Sequence, residues 1–301
     1  MKEIVKIAMA LTISCLVAGS VMGGVFMLTA EAKKRNQQQN RQETMFELIA
    51  SELPGRSDQP AENLSLHPIY RYIIQDNDQT DLGYLAPVEQ EAGVVYEMWV
   101  LDLEGNLIDR RRLGLSPAAA MEKPDRDAAV KAALGPDQQA RYADTMIIAA
   151  ANGERIAYLL PGAFSGFKTF IHVMAALDAE FNLLGLEIMD HEEDPGLGGE
   201  IEKPYFKNQF KGKSLEQLRD LDVIKEPLPE DYRHFLEKTA AREDRVRIGK
   251  AYQNEDIHAI AGATISSRCV TDGLKRMVKK SVYRIKILDR VISKNHIPAA
   301  M

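Results

Sequence analysis

The run MIIAAANGERIAYLL, residues 146–160, decides how the middle of this chain folds. Met146–Ala150 and Ile156–Leu160 are apolar runs of strand length, and Asn152-Gly153 between them is a tight-turn dipeptide and a good hairpin signal. Working outward, Phe170–Leu177 and Leu183–Met189 are two more apolar runs, joined by a turn at Asp178–Asn182. Upstream, Tyr70–Ile74 and Val94–Leu103 read as strands, the second holding Trp99 as a core residue. Glu104-Gly105-Asn106 then turns the chain toward Leu107–Ile108. Helical spacing appears over Asp125–Leu134 and again from Ile265, where Ile265, Cys269, Val270, Leu274, Met277 and Val278 share one face. The expected fold class is α+β, an antiparallel sheet with helices packed on it. No internal repeat of fixed period is present.

The N-terminal end has a different character. Ile7–Leu28 is almost uncharged and mostly apolar, a length that suits a single helix across a hydrocarbon core of roughly 30 Å. Lys2 and Lys6 precede it; Lys33, Lys34 and Arg35 follow. Ala30-Glu31-Ala32 loosely fits a cleavage site, but the apolar run exceeds the length of a signal-peptide core, so a retained anchor is expected. Gly19 and Gly23 form a small-xxx-small pair of the kind that allows close helix approach in lipid. The heavier positive flank lies C-terminal to the span, which by charge alone would leave the body in the cytoplasm. Lys33–Arg41 reads as a polar spacer, Glu43–Leu53 as a short helix stopped by Pro54-Gly55, and Arg56–Leu66 as loop.

Composition narrows the chemistry. A formal net charge of -6 argues against nucleic acid as a partner, because phosphate backbones need a basic face. The only two cysteines, Cys15 and Cys269, have no spacing for zinc or an iron–sulfur cluster. Any redox chemistry must then come from an organic cofactor. No dinucleotide fingerprint is present.

Two clusters carry the candidate chemistry. The first, residues 190–200, is DHEEDPGLGGE, with Gly196, Gly198 and Gly199 just past Pro195. Such a backbone can pass close to a flat ligand or donate N–H groups to it; a solvated acidic turn is the alternative. The acidic residues and His191 lack the spacing of a helical zinc site, and the glycines should break any helix here. The second, residues 258–267, is HAIAGATISS: small residues, then the hydroxyls of Thr264, Ser266 and Ser267, at the start of the C-terminal helix. Free N–H groups and the helix dipole there favour a phosphate. A helix simply capped by Thr264 fits the same residues. Gly162, Phe164, Gly166 and Phe167 precede the strand from Phe170, and an aromatic ring there suits either the core or stacking on a flat cofactor.

Taken together, Pro195-Gly196-Leu197-Gly198-Gly199-Glu200-Ile201, Phe206, Gln209-Phe210 and Gly212-Lys213 resemble a segment of the FMN-binding subunits of two related membrane complexes. These are the Na⁺-translocating NADH:quinone oxidoreductase, through its C subunit, and the Rnf electron-transport complex, through its G subunit. Gly262-Ala263-Thr264 resembles their flavinylation motif. The resemblance implies FMN attached to Thr264 through a phosphoester made by a separate flavin transferase. Gly262, Ala263, Ile265, Ser266 and Ser267 would surround the phosphate, and Pro195, Gly196, Leu197, Gly198 and Phe167 the ring. It also implies a single-pass protein of the bacterial inner membrane, with the flavin domain on the extracytoplasmic side and the other subunits of the complex as partners. Such a protein relays electrons and is not a stand-alone catalyst; no catalytic or metal-binding residue is assigned. Three residues depart from the motifs: Asp194 where threonine is usual, His258 where an acid is usual, and Ala261 where serine or threonine is usual.

The expected organisation is an anchor at 1–31, a spacer and short helix at 32–56 and a variable α+β region at 57–149. The FMN domain follows at 150–281 and a helical tail at 282–301. Arg284, Lys286, Arg290 and Lys294 give that tail a charged face.

Overall fold

The computed structural model describes residues 2–50, 64–76, 79–91 and 93–301. It divides into two compact units, Met1–Glu47 and Leu48–Met301.

The first unit consists of most of α1, Lys2–Ile49. Its stretch Glu3–Ala30 is long and apolar enough to cross a membrane, with a mean hydropathy of 2.0 and none of that apolar window buried. The expected spacer is not a break: α1 runs through Lys33–Arg41 and Glu43 to Ile49 without interruption. The reason is local. Those positions hold Gln, Arg, Lys and Glu, which lose little freedom in a helix, and no glycine or proline intervenes. Residues 51–63, with the Pro54-Gly55 stop and most of the expected loop, lie outside the described residues.

The second unit is built on one eight-stranded antiparallel sheet. Its strands are β1 Leu64–Asp76, β2 Gln79–Gln90, β3 Gly93–Leu101 and β4 Leu107–Leu115. The short helices α2 Pro117–Met121 and α3 Lys123–Ala133 follow. Then come β5 Gln138–Ala151, β6 Glu154–Ser165, β7 Phe170–Asp178 and β8 Leu183–Asp190. The order across the sheet is β4-β3-β2-β1-β5-β6-β7-β8, two meanders joined at the central β1–β5 pair. The Asn152-Gly153 hairpin forms as its sequence signals: both residues have positive φ, 54° and 81°, which a two-residue turn of matching twist requires.

Beyond β8 the chain makes α4 Pro204–Lys207, α5 Leu215–Asp220, β9 Val223–Ile224, α6 Glu230–Leu236, α7 Arg245–Tyr252 and β10 Ile257–His258. β9 and β10 pair in parallel. The chain closes with α8, Thr264–Asn295. Alternation along the strands splits the core between the two faces of the sheet. Ile69, Ile171, Val173, Ala175 and Leu177 join Val270, Leu274, Val278 and Ile285 of α8 in one cluster. Tyr70, Tyr72, Ile74, Leu85 and Met98 join Ala120 of α2 and Val130 of α3 in another.

Two expected divisions fall inside elements. The 149/150 boundary lies within β5, and the 281/282 boundary lies within α8, whose buried stripe continues through Val282, Ile285, Leu288 and Val291. Two strands of the eight-stranded sheet carry little signal in the sequence. β4 (LIDRRRLGL) is an edge strand, and its consecutive arginines protect the edge while hiding the apolar pattern. β2 contains Gly83 and Pro87, both counter-signals for a strand.

Candidate flavin site

Thr264 is the first residue of α8, not its cap. The cap position is Ala263, at φ −132° and ψ 39°, and no side chain caps the helix start. The preceding turn is closed by Ala263 N–H donating to Ile260 O at 2.9 Å, with Gly262 at φ +76°. Ser267 braces it: its hydroxyl accepts from Ile260 N–H and donates to Ala263 O, both at 3.0 Å. Among the described residues, the half-exposed Thr264 hydroxyl has no hydrogen-bond partner. The first N–H groups of a helix have no partner within it, so this end offers donors and a positive field.

The second feature is a buried carboxylate. Glu193, 5% exposed, lies on the loop after β8. Its Oε1 accepts from the backbone N–H of Phe167 (2.8 Å) and Lys168 (3.2 Å), and its Oε2 accepts from the Ser266 hydroxyl. One side chain thus ties together the β6–β7 turn, the β8 loop and the first turn of α8. The glycines around it are explained by contact. A Cβ on Gly166 would lie 2.6 Å from Oε1, and one on Gly198 2.7 Å from Oε2. Glu193 N–H donates to His191 Nδ1 at 3.0 Å, which puts the proton of the neutral ring on Nε2. That nitrogen lies 2.9 Å from Glu202 Oε1, yet without hydrogen-bond alignment. Burial, followed by the charges of Glu193 and Asp272, pushes the Cys269 thiol up.

The glycine cluster forms a compact turn in which Leu197 and Gly199 N–H both donate to Asp194 O. Contrary to expectation, Gly198–Glu202 then closes a single 3₁₀ turn; short i→i+3 pieces tolerate glycine where a long helix would not. Asp194 pairs with Lys168. Leu197 remains 46% exposed and packs beside the second cluster, since a Cβ on Gly262 would meet its Cδ2 at 3.0 Å. Phe167 and Ile265 are 61% and 58% exposed.

The structure therefore brings Leu197, Gly262, Thr264, Ile265 and Ser266 to one place, with Phe167 joined through Glu193. Pro195 and Gly196 lie on the same loop, Gly196 at φ +74° with open space where a side chain would be. Ala263 and Gly198 are buried framework, and the hydroxyls of Ser266 and Ser267 are already engaged. Of the three hydroxyls expected to meet a phosphate, Thr264 alone is unengaged. Phe164 belongs to the core: it packs on Gly273 of α8, while Met277 lies over Gly162. His258, a motif departure, is fixed on every side. Gln209 exchanges hydrogen bonds with its backbone, and its ring faces Glu226 O and the Glu255 carboxylate. Sequence reasoning missed Glu193, because one buried acid in a run of acids carries no signal of its own.

An open, donor-rich helix start beside exposed apolar side chains defines a site for a ligand with an anionic end and a flat apolar body. Residues 166–279 match the FMN-binding domain family. The chain is similar to the C subunits of Na⁺-translocating NADH-quinone reductases and to the G subunits of ferredoxin:NAD⁺ oxidoreductase complexes. It is 29% identical over 125 residues to the G subunit of the proton-translocating complex of Clostridium ljungdahlii, covering 42% of this chain and about half, 53%, of that protein. It is 26% identical over 191 residues to the G subunit of the Na⁺-translocating complex of Acetobacterium woodii (62% and 78% covered). It is 24% identical over 215 residues to the C subunit of the Na⁺-translocating NADH-quinone reductase of Pasteurella multocida (67% and 74%). The crystal structure of Shewanella oneidensis NqrC aligns over 79% of this chain and 91% of that one, at 14% identity and a TM-score of 0.40.

Proposed function

We propose that this chain is a membrane-anchored protein that relays electrons through FMN joined by a phosphoester to Thr264, within an ion-translocating oxidoreductase complex. The observation that carries the reading is the unpartnered Thr264 hydroxyl at the uncapped start of α8. The residues present fit the cofactor. Thr264 would supply the ester oxygen, and the N–H groups of the first turn would bind the remaining phosphate charge. Leu197, Phe167 and Ile265 offer apolar surface to the ring system. Glu193 holds these pieces in register and leaves the three backbone and hydroxyl donors it binds unavailable to the ligand. Bound FMN supplies one- and two-electron chemistry, and the protein sets its position and potential. The span Glu3–Ala30 is read as a retained single anchor in the bacterial inner membrane, with the flavin domain extracytoplasmic; the other subunits of the complex and a flavin transferase are the partners.

The test is direct. Protein expressed with the transferase should give a fluorescent band after denaturation, and an intact mass raised by FMN less one water. Thr264→Val should abolish both. A native sample with the mass of the bare polypeptide overturns the reading. The departures at Asp194 and Ala261 favour a second reading, a tethered assembly module that kept the fold without the flavin; a dark band from the unaltered chain would support it.

A further inference from the structure

A separate cleft of about 440 Å³ opens between α8 and strands β1, β5 and β6, within the range of small-molecule sites. Its α8 wall carries Arg276, Lys280 and Arg284, spaced four residues apart and so on one stripe of the helix. Like charges at that spacing repel. Among the described residues, the only carboxylate lining the cleft is Asp144, and it is shared: Arg71 grips it at 2.6 and 3.0 Å, and Arg284 at 2.9 Å. Arg276 and Lys280 are exposed, with no hydrogen bond or ion pair among the described residues. Four cations thus face one anion in a chain whose formal net charge is -6. The buried Ser281 lines the same cleft and has no hydrogen-bond partner among the described residues. Met146, Leu160 and Met277 supply apolar walls.

We propose that this cleft binds a small organic phosphate monoester of nucleotide size, its phosphate held by Arg276, Lys280, Arg284 and the Ser281 hydroxyl and its body against the apolar walls. A phosphate monoester carries close to two negative charges and three strong acceptor oxygens, which matches a cluster of cations and a free hydroxyl better than a single carboxylate does. The site stands apart from Thr264, three turns earlier on the same helix, and does not depend on the flavin reading.

The test is calorimetric titration of the full chain in detergent micelles at low salt, with AMP as the organic monoester, adenosine as the body alone and inorganic phosphate as the anion alone. Saturable one-site binding of AMP is expected, tighter than that of either fragment. Arg276→Glu with Lys280→Glu should weaken it about tenfold or more, while Thr264→Val leaves it unchanged. Arg276→Gln with Lys280→Gln is the milder pair should charge reversal disturb folding. Absence of saturation by AMP, affinity equal in the double variants, or inorganic phosphate binding as tightly as AMP would each overturn the proposal. Loss of AMP binding on Thr264→Val would instead place the ligand at the helix start and overturn it too.

Discussion

The Ser266 hydroxyl donates to the Glu193 carboxylate across 73 positions of sequence. The same carboxylate takes the N–H groups of Phe167 and Lys168, so one buried acid fixes the distance between the start of α8 and the turn that carries the exposed Phe167 ring.

Removing that acid should damage both fold and site. Glu193→Ala leaves two backbone N–H groups and a hydroxyl without their acceptor, a loss of about 3 kcal/mol by urea unfolding. Glu193→Gln keeps one acceptor oxygen and should cost less. Flavin fluorescence per mole of folded protein should fall in the order wild type, Gln, Ala. Equal stability in all three would mean the carboxylate is not the tie described.

Thr264 should behave in the opposite way. Its hydroxyl makes no hydrogen bond among the described residues, so Thr264→Val should leave unfolding of the unflavinylated protein within about 0.5 kcal/mol of wild type while eliminating bound flavin. Thr264→Ser, which keeps a hydroxyl, should retain some. A large loss of stability in the valine variant would return Thr264 to a structural role.

Close packing of α8 on β6 gives a test away from Thr264. A Cβ at Gly273 would lie 2.3 Å from the Phe164 ring. Gly273→Ala should therefore cost about 1–3 kcal/mol, even though alanine is normally the better helix former. Pairing it with Phe164→Leu should recover part of the loss, measured by thermal unfolding of the double variant.

Asp144 predicts a pH dependence. Burial by itself would raise its carboxyl, but the hydrogen bonds and charges of Arg71 and Arg284 outweigh burial and hold it below the ordinary value. A depressed folded-state value means the stabilisation is fully present above the ordinary carboxylate range. It is lost as pH falls through the lower, folded value. The side chain is 38% exposed, so solvent screening keeps the effect small. The acid limb of a stability–pH curve should be shallower in Asp144→Asn than in wild type, and identical limbs would remove Asp144 from that account.

Much of this protein was legible in its residues taken in order. The apolar span Ile7–Leu28, the Asn152-Gly153 hairpin, the apolar runs of the strands and the helical face from Ile265 are local or periodic patterns, and their physics acts between near neighbours. The pairing of Pro195–Gly199 with Gly262–Thr264 was legible only as a resemblance. Tertiary structure decided the rest. It left Thr264 open while engaging Ser266 and Ser267, and it placed Phe164 in the core but Phe167 outside. It also selected Glu193 from a run of acids as the one that is buried. These outcomes depend on which distant groups occupy each donor and acceptor, and hydrogen bonds that close over 73 residues leave no trace in the spacing of a chain.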